Sequence, residues 1–202
     1  INNVKLPHIL FLPEKKISIL IYSFNTKAIF IKECLNSIKS QKGHIFFEII
    51  WINDGSDEIH TKLLKIIIET FEKTTRFCKI KYYENSENMG FGFTLNRGIN
   101  LCSNELIIKM NAEDIMVKDR VKKQIEFMEK NPRATICGGQ ILTFDSKTKM
   151  NISRTNHKTI NWVEYKDSPS SWFINNSTIC YKKSKVLEVG NYNLSLKCEN
   201  NN

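Results

Sequence analysis

The chain has 202 residues, 41% hydrophobic and 25% charged, which excludes wholesale disorder and suits a single compact domain, at most a modest domain in two lobes. Its net charge of +9 comes from 30 Lys and Arg against 21 Asp and Glu, but the lysines are spread along the chain, so a dedicated nucleic-acid surface is not expected. No apolar run approaches the roughly 20 residues that cross a bilayer and no signal peptide is visible, so neither a transmembrane segment nor a leader is expected within these residues.

ISILIY (17–22) is a continuous apolar run, as expected of a strand covered on both faces. Beyond Asn25 and Thr26, Ala28, Ile31, Leu35 and Ile38 recur at three- and four-residue intervals, predicting a helix capped by Asn or Thr. FFEIIWI (46–52) is the next buried strand and stops at Asn53-Asp54-Gly55-Ser56. Leu63, Leu64, Ile67, Ile68 and Phe71 then mark the inner face of a second helix. KIKYYE (79–84) predicts a third strand, and Phe91, Leu95, Ile99 and Cys102 a helix that opens after Gly90. ELIIKM (105–110) is the fourth strand; Val121, Ile125 and Met128 stripe the helix after it, which Asn131-Pro132 stops. Four alternations with short connections predict right-handed crossovers and a mostly parallel sheet between helical layers.

Residues 134–202 read differently. ATICGGQILTF and SWFINNSTICYKK predict longer strands around a polar loop at 145–170, completing the sheet and framing a site. The six cysteines are scattered without a C-x-x-C pair and read as buried reduced thiols, implying a reducing, cytoplasmic compartment. His8, His44, His60 and His157 show no metal-ligand spacing. The start at Ile1 and the end at Asn200-Asn201-Asn202 are those expected of a trimmed chain, with an anchor outside it left open.

The informative polar residues fall at strand ends. Asn25 follows the first strand, Asp54 the second, and Asn111, Glu113 and Asp114 the fourth. In an open parallel α/β sheet these carboxyl ends share the edge where a ligand crevice forms. Singly, each has a plain structural reading: Asn25 as a helix cap, Asp54-Gly55 as a turn, Asp114 as a solvated cap. Together they favour a nucleotide or metal–nucleotide site.

At these residues the chain resembles a known family. SILIYSFN, EIIWINDGSDE, ENMGFGFTLNRGI and IKMNAEDIMVKDRVKKQ occur in the order and spacing of the inverting GT-A glycosyltransferases of family 2. The likeness covers about residues 16–140 and resumes at YKKSKVLEVGNYN (181–193), similar to the family's acceptor-side segment. A dinucleotide site of Rossmann type is the poorer match, because Gly90 and Gly92 follow the third strand and no G-x-G-x-x-G follows the first. The resemblance implies a GT-A Rossmann-like three-layer α/β/α sandwich. Residues 1–15 would be an N-terminal extension, 16–133 the nucleotide-sugar-binding half, and 134–202 the acceptor-side half of the same domain. Tyr22, Ser23, Phe24 and Asn25 would line the base pocket, with Gly90 and Ala112 beside the nucleotide. Asp54 would read the uracil edge, Asn111 would face ribose and metal, and Glu113 would ligate Mn2+ or Mg2+ directly, with Asp114 a further ligand. A hard cation on oxygen ligands neutralises the charge of a departing diphosphate.

The departures matter as much. Asn53 and Asn111 stand where the family has Asp, and Glu113 replaces the second Asp of D-x-D. The position of the family's general base falls on Asn200 or Asn201, leaving Glu199 as the nearest carboxylate to test. Three functions are thus open: transfer of a sugar from a UDP-sugar, with inversion, to a glycan, protein or lipid-linked acceptor; nucleotide or glycan binding by a degenerate scaffold; and nucleic-acid binding, resting on charge alone.

Overall fold

The computed structural model describes residues 16–43, 46–75, 78–155 and 174–194. Four strands, β1 (Lys16–Ser23), β2 (Phe46–Asn53), β3 (Cys78–Glu84) and β4 (Leu106–Asn111), alternate with helices α1 (Ala28–Lys39), α2 (Glu58–Thr74), α3 (Phe91–Leu101) and α4 (Arg120–Lys130). Short strands β5 (Ile136–Cys137), β6 (Leu142–Phe144), β7 (Asn151–Arg154) and β8 (Cys180–Lys182) follow, with a 3-10 turn at Asn176–Thr178 and a last helix, α5 (Lys183–Glu188).

The main sheet runs β3-β2-β1-β4-β8-β5, its first four strands parallel and β8 antiparallel to both β4 and β5. This is the expected α/β sandwich with a mostly parallel centre. The chain leaves β1 toward β2 on one side and places β4 on the other, so the connectivity reverses between β1 and β4. At that reversal Tyr22 pairs with Asn111 across the β1–β4 ladder, and a crevice opens beyond the carboxyl ends.

Both faces of β1, β2 and β4 are covered, which is why these strands are mostly apolar. On one face Ile17, Ile19 and Ile21 of β1 pack with Ile31 and Leu35 of α1 and with Leu64, Ile68 and Phe71 of α2. Val121, Ile125 and Met128 of α4 join the same cluster. On the other face Leu20, Ile50 and Ile52 meet Leu95 and Ile99 of α3. Gly98 allows α3 to lie this close, since a Cβ there would sit 2.3 Å from Leu20 Cδ1.

Three local expectations need correction. Neither Asn25 nor Thr26 caps α1: its N-cap is Lys27, without a side-chain hydrogen bond, because the Asn25 side chain is engaged elsewhere. Leu63 is 42% exposed and lies outside the inner face of α2. The long strands foreseen after residue 134 are interrupted. Gly138 packs where a Cβ would be 2.5 Å from Ile174 Cγ2, and the chain breaks into the two-residue β5 and three-residue β6. Much of the 145–170 loop, Trp162, Trp172 and the 1–15 extension lie outside the described residues.

At the opposite, amino end of the sheet, Glu48 of β2 organises a polar cluster. Its carboxylate accepts from Ser18 Oγ at 2.6 Å, Lys81 Nζ at 2.6 Å and Ser103 N at 2.7 Å. Burial opposes its ionisation, but these donors outweigh it and hold the carboxyl at about 2, below its ordinary 4.5.

Candidate active site

A cavity of about 570 Å3 occupies the crevice at the β1–β4 reversal. Tyr22, Ser23 and Phe24 line it from the end of β1, Asp54 from the end of β2, and Asn111, Ala112 and Glu113 from the end of β4. Gly90 joins them from the start of α3. Eight of the residues named from sequence are therefore brought together. Asn25 and Asp114 are absent from this lining, and Glu199, Asn200 and Asn201 lie outside the described residues.

Asp54 is 2% exposed and organises the floor beneath α3. Its Oδ1 accepts from Asn85 Nδ2 at 2.6 Å and from Met89 N at 3.0 Å; its Oδ2 accepts from Gly90 N at 3.1 Å. Asn85 is held in turn, donating to Thr94 Oγ1 at 2.9 Å and accepting from Arg97. One strand-end carboxylate thus fixes the loop that delivers the α3 N-terminus, the positive end of the helix dipole, to the cavity. Asn53 faces the other way. Its amide donates to Thr61 Oγ1 at 2.8 Å and Tyr82 OH at 3.1 Å, while its oxygen accepts from Ser56 N at 3.2 Å. The amide found where the family has a carboxylate therefore serves the β2–α2 turn.

Asn25 has a positive φ of 48° and ties two loops together. Its N–H donates to Ser56 Oγ at 2.9 Å, and its Oδ1 accepts from Asp57 N at 2.9 Å. It supports the rim of the pocket. Tyr22 stands edge-on to Phe91, ring centroids 5.1 Å apart. Burial, with the nearby charges of Glu113, Asp114 and Asp54, pushes its phenol up from the ordinary value.

The principal residue missed from sequence is Lys109. Though 1% exposed, it lines the cavity. Its ammonium donates to Asn111 Oδ1 at 3.1 Å and to the Asn176 carbonyl at 3.5 Å, and lies 4.6 Å from the centroid of the Phe91 ring. Burial pulls its pKa down to about 8. The available signal was a single charge inside an otherwise apolar strand, since a buried charge is costly without a purpose. Asn88, Phe91 and Asn176 also line the cavity. Arg120 supports the strand from below, donating to the Lys109 carbonyl at 2.9 Å and to Gln124 Oε1 at 3.0 Å.

The donor set for a divalent cation is thinner than expected. Among the described residues no group of three or more His, Cys, Asp and Glu could hold a metal ion. Asn111 Oδ1 already accepts from an ammonium, and its side chain also hydrogen-bonds Asp114. Asp114 is turned inward, its Oδ2 buried and without a hydrogen-bond partner. Burial raises its pKa, against the opposing effects of Lys109, Arg120 and Asn111. These residues do not fit a resident metal centre. Asn111 and Asp114, expected as ligands, are each engaged by protein partners here. Glu113, exposed at the cavity mouth, fits an ion carried in by phosphate, since Mg2+ is commonly held by one or two carboxylates plus substrate oxygens.

Known proteins share this architecture. A mannosyltransferase of Pyrobaculum calidifontis, solved with GDP-Man and Mn2+, superimposes with a TM-score of 0.64 at 12% identity, over 89% of this chain and 48% of that one. Staphylococcus aureus TarS (residues 1–349) with UDP gives 0.58 at 17% identity, over 88% and 49%. By sequence, the chain is 30% identical over 163 residues to an uncharacterized glycosyltransferase of Haemophilus influenzae, covering 81% of this chain and 58% of that protein. It is 26% identical over 197 residues to the amylovoran biosynthesis glycosyltransferase AmsE of Erwinia amylovora, covering 92% and 66%. The chain thus spans less than two thirds of the length of these relatives. The model of glycosyl transferase family 2 matches residues 18–185, and the chain belongs to that family.

Proposed function

We propose that this chain binds a UDP-sugar in the crevice at the β1–β4 reversal and supports transfer of the sugar, with inversion, to a glycan, protein or lipid-linked acceptor. The observation that carries this reading is the free lone pair of Asp54. An ionised carboxylate offers about four acceptor sites, and three are taken by Asn85, Met89 and Gly90. The fourth is on Oδ2, in a residue that lines the cavity. Uracil presents an N3–H donor to such an acceptor; cytosine presents a bare nitrogen.

Tyr22 and Phe91 offer apolar walls for the base and ribose, and Asn111, which lines the same cavity, would face the ribose hydroxyls. A Mn2+ or Mg2+ ion bound with the donor would neutralise the departing diphosphate, and Glu113 is the residue that would hold it. The acceptor-side segment is brought in by a reciprocal clamp: Asn96 Nδ2 donates to the Tyr192 carbonyl at 2.9 Å, and Tyr192 N donates to Asn96 Oδ1 at 2.8 Å. Glu199 remains the candidate base. Among the described residues the five free cysteines, four buried and Cys137 partly so, suit a reducing, cytoplasmic setting.

Calorimetric titration with UDP, CDP and GDP, followed by turnover assays with UDP-sugars, tests the reading. Preferential UDP binding with release of UDP on adding acceptor supports it. Preferential UDP binding without turnover would favour the scaffold function, and equal binding of all three nucleotides would refute the base pocket.

A further inference from the structure

The buried ammonium of Lys109 lacks a carboxylate partner. An ammonium has three N–H donors. Two point at neutral oxygens, those of the Asn111 side chain and the Asn176 backbone, and the ring of Phe91 flanks the group. Asp114, the acid whose charge acts on the ammonium, interacts with the Asn111 side chain and does not hydrogen-bond Lys109. Asn111 therefore stands as a neutral spacer between a cation and an anion. Its oxygen faces the cation, since an ammonium can only donate, which leaves the amide's N–H side for Asp114. A carboxylate at position 111 would neutralise Lys109 and stand against Asp114, an arrangement that calls for a divalent ion. The amide removes that need and leaves on a cavity wall a positive charge that no carboxylate hydrogen-bonds and that Asp114 offsets only across the intervening amide.

We infer that Lys109 is a binding residue for the anionic phosphate oxygens of the nucleotide, supplying from the protein a positive charge that a metal would otherwise bring. This rests on the proposed nucleotide site and extends it. UDP then binds without a divalent ion, and the increment that its diphosphate adds over uridine comes largely from Lys109. A divalent ion on Glu113 strengthens binding further, from a baseline that is already substantial.

The test is calorimetric titration of uridine and UDP in excess EDTA. Charge-assisted hydrogen bonds make the expected preference for UDP over uridine roughly tenfold or more. Lys109→Met should erase that preference, read as the ratio of UDP to uridine affinity on the same protein. Should Lys109→Met fail to fold, Asn111→Asp gives the same reading: the metal-free preference is lost and UDP binding becomes dependent on Mn2+. Uridine binding with no UDP preference in EDTA, or a preference that survives in whichever variant folds, overturns the role of Lys109 and leaves the nucleotide site standing. Failure of the unmutated chain to bind either ligand overturns both.

Discussion

Asp54 Oδ2 accepts the Gly90 N–H at 3.1 Å, so the carboxylate at the end of β2 is also the latch of the loop that starts α3. Recognition and architecture share one side chain. If Asp54 reads uracil, UDP should bind about tenfold or more tighter than CDP, the cost of leaving a buried group unpaired. Asp54→Asn should flatten that preference, since an amide can turn its N–H toward cytosine. Titration of both nucleotides against both proteins measures it, and an unchanged ratio contradicts the assignment.

Glu113 gives the second prediction. It is the exposed carboxylate at the cavity mouth, and its neighbours Asn111 and Asp114 are engaged elsewhere. Adding Mn2+ should tighten UDP binding, and Glu113→Ala should abolish that gain while leaving the thermal midpoint within a degree or so, as for most exposed substitutions. Retention of the Mn2+ gain by the variant would place the ion elsewhere.

Gly55 gives the third. It has a φ of +69°, and a Cβ there would lie 2.2 Å from the Glu87 backbone carbon. Gly55→Ala combines a left-handed conformation with a backbone clash, and should cost about 1–3 kcal/mol. The thermal midpoint should fall by at least about 2–4 °C, with UDP affinity reduced because Asp54 and residues 87–90 separate. An unaltered midpoint would mean that the two loops do not meet in solution.

The fourth concerns acid. The Glu48 carboxyl is lowered from 4.5 to about 2 in the folded protein, so its contribution to stability is present above the unfolded value and is lost as pH falls from about 4.5 through about 2. Glu48→Gln should lower the urea midpoint at neutral pH and flatten its decline across that acid window. Parallel pH profiles for the two proteins would refute the role of this cluster.

The parallel half of the fold was legible because burial on both faces leaves β1, β2 and β4 mostly apolar, with Ser18, Glu48 and Lys109 the exceptions between their ends, and because α1, α2 and α4 keep helical spacing. The C-terminal half was not, since what breaks ATICGGQILTF is the packing of Gly138 against Ile174, a contact distant in sequence. The same division runs through the site. Tyr22, Asp54, Asn111 and Glu113 announce themselves as polar residues at strand ends. Asn25 and Asp114 carry the same signature, yet Asn25 bonds the neighbouring loop and Asp114 turns inward, choices set by tertiary partners. The lone charge in β4 marks Lys109 as unusual, but that it faces the cavity depends on Phe91 and the turn at residues 176–178, contacts distant in sequence.

The cluster around Glu48 lies at one end of β2 and the ligand crevice at the other. The strand is clamped by charge at the end away from the crevice, and by the Asn53 amide and the Asp54 carboxylate at the other. Amides can therefore replace carboxylates at Asn53 and Asn111 without loosening the sheet, because the Asn53 amide is itself a fastening and the charged clamp is several residues away. A site of altered charge at Asn53 and Asn111 can thereby persist on an intact frame, whereas Asp54 ties what the crevice accepts to how the chain folds.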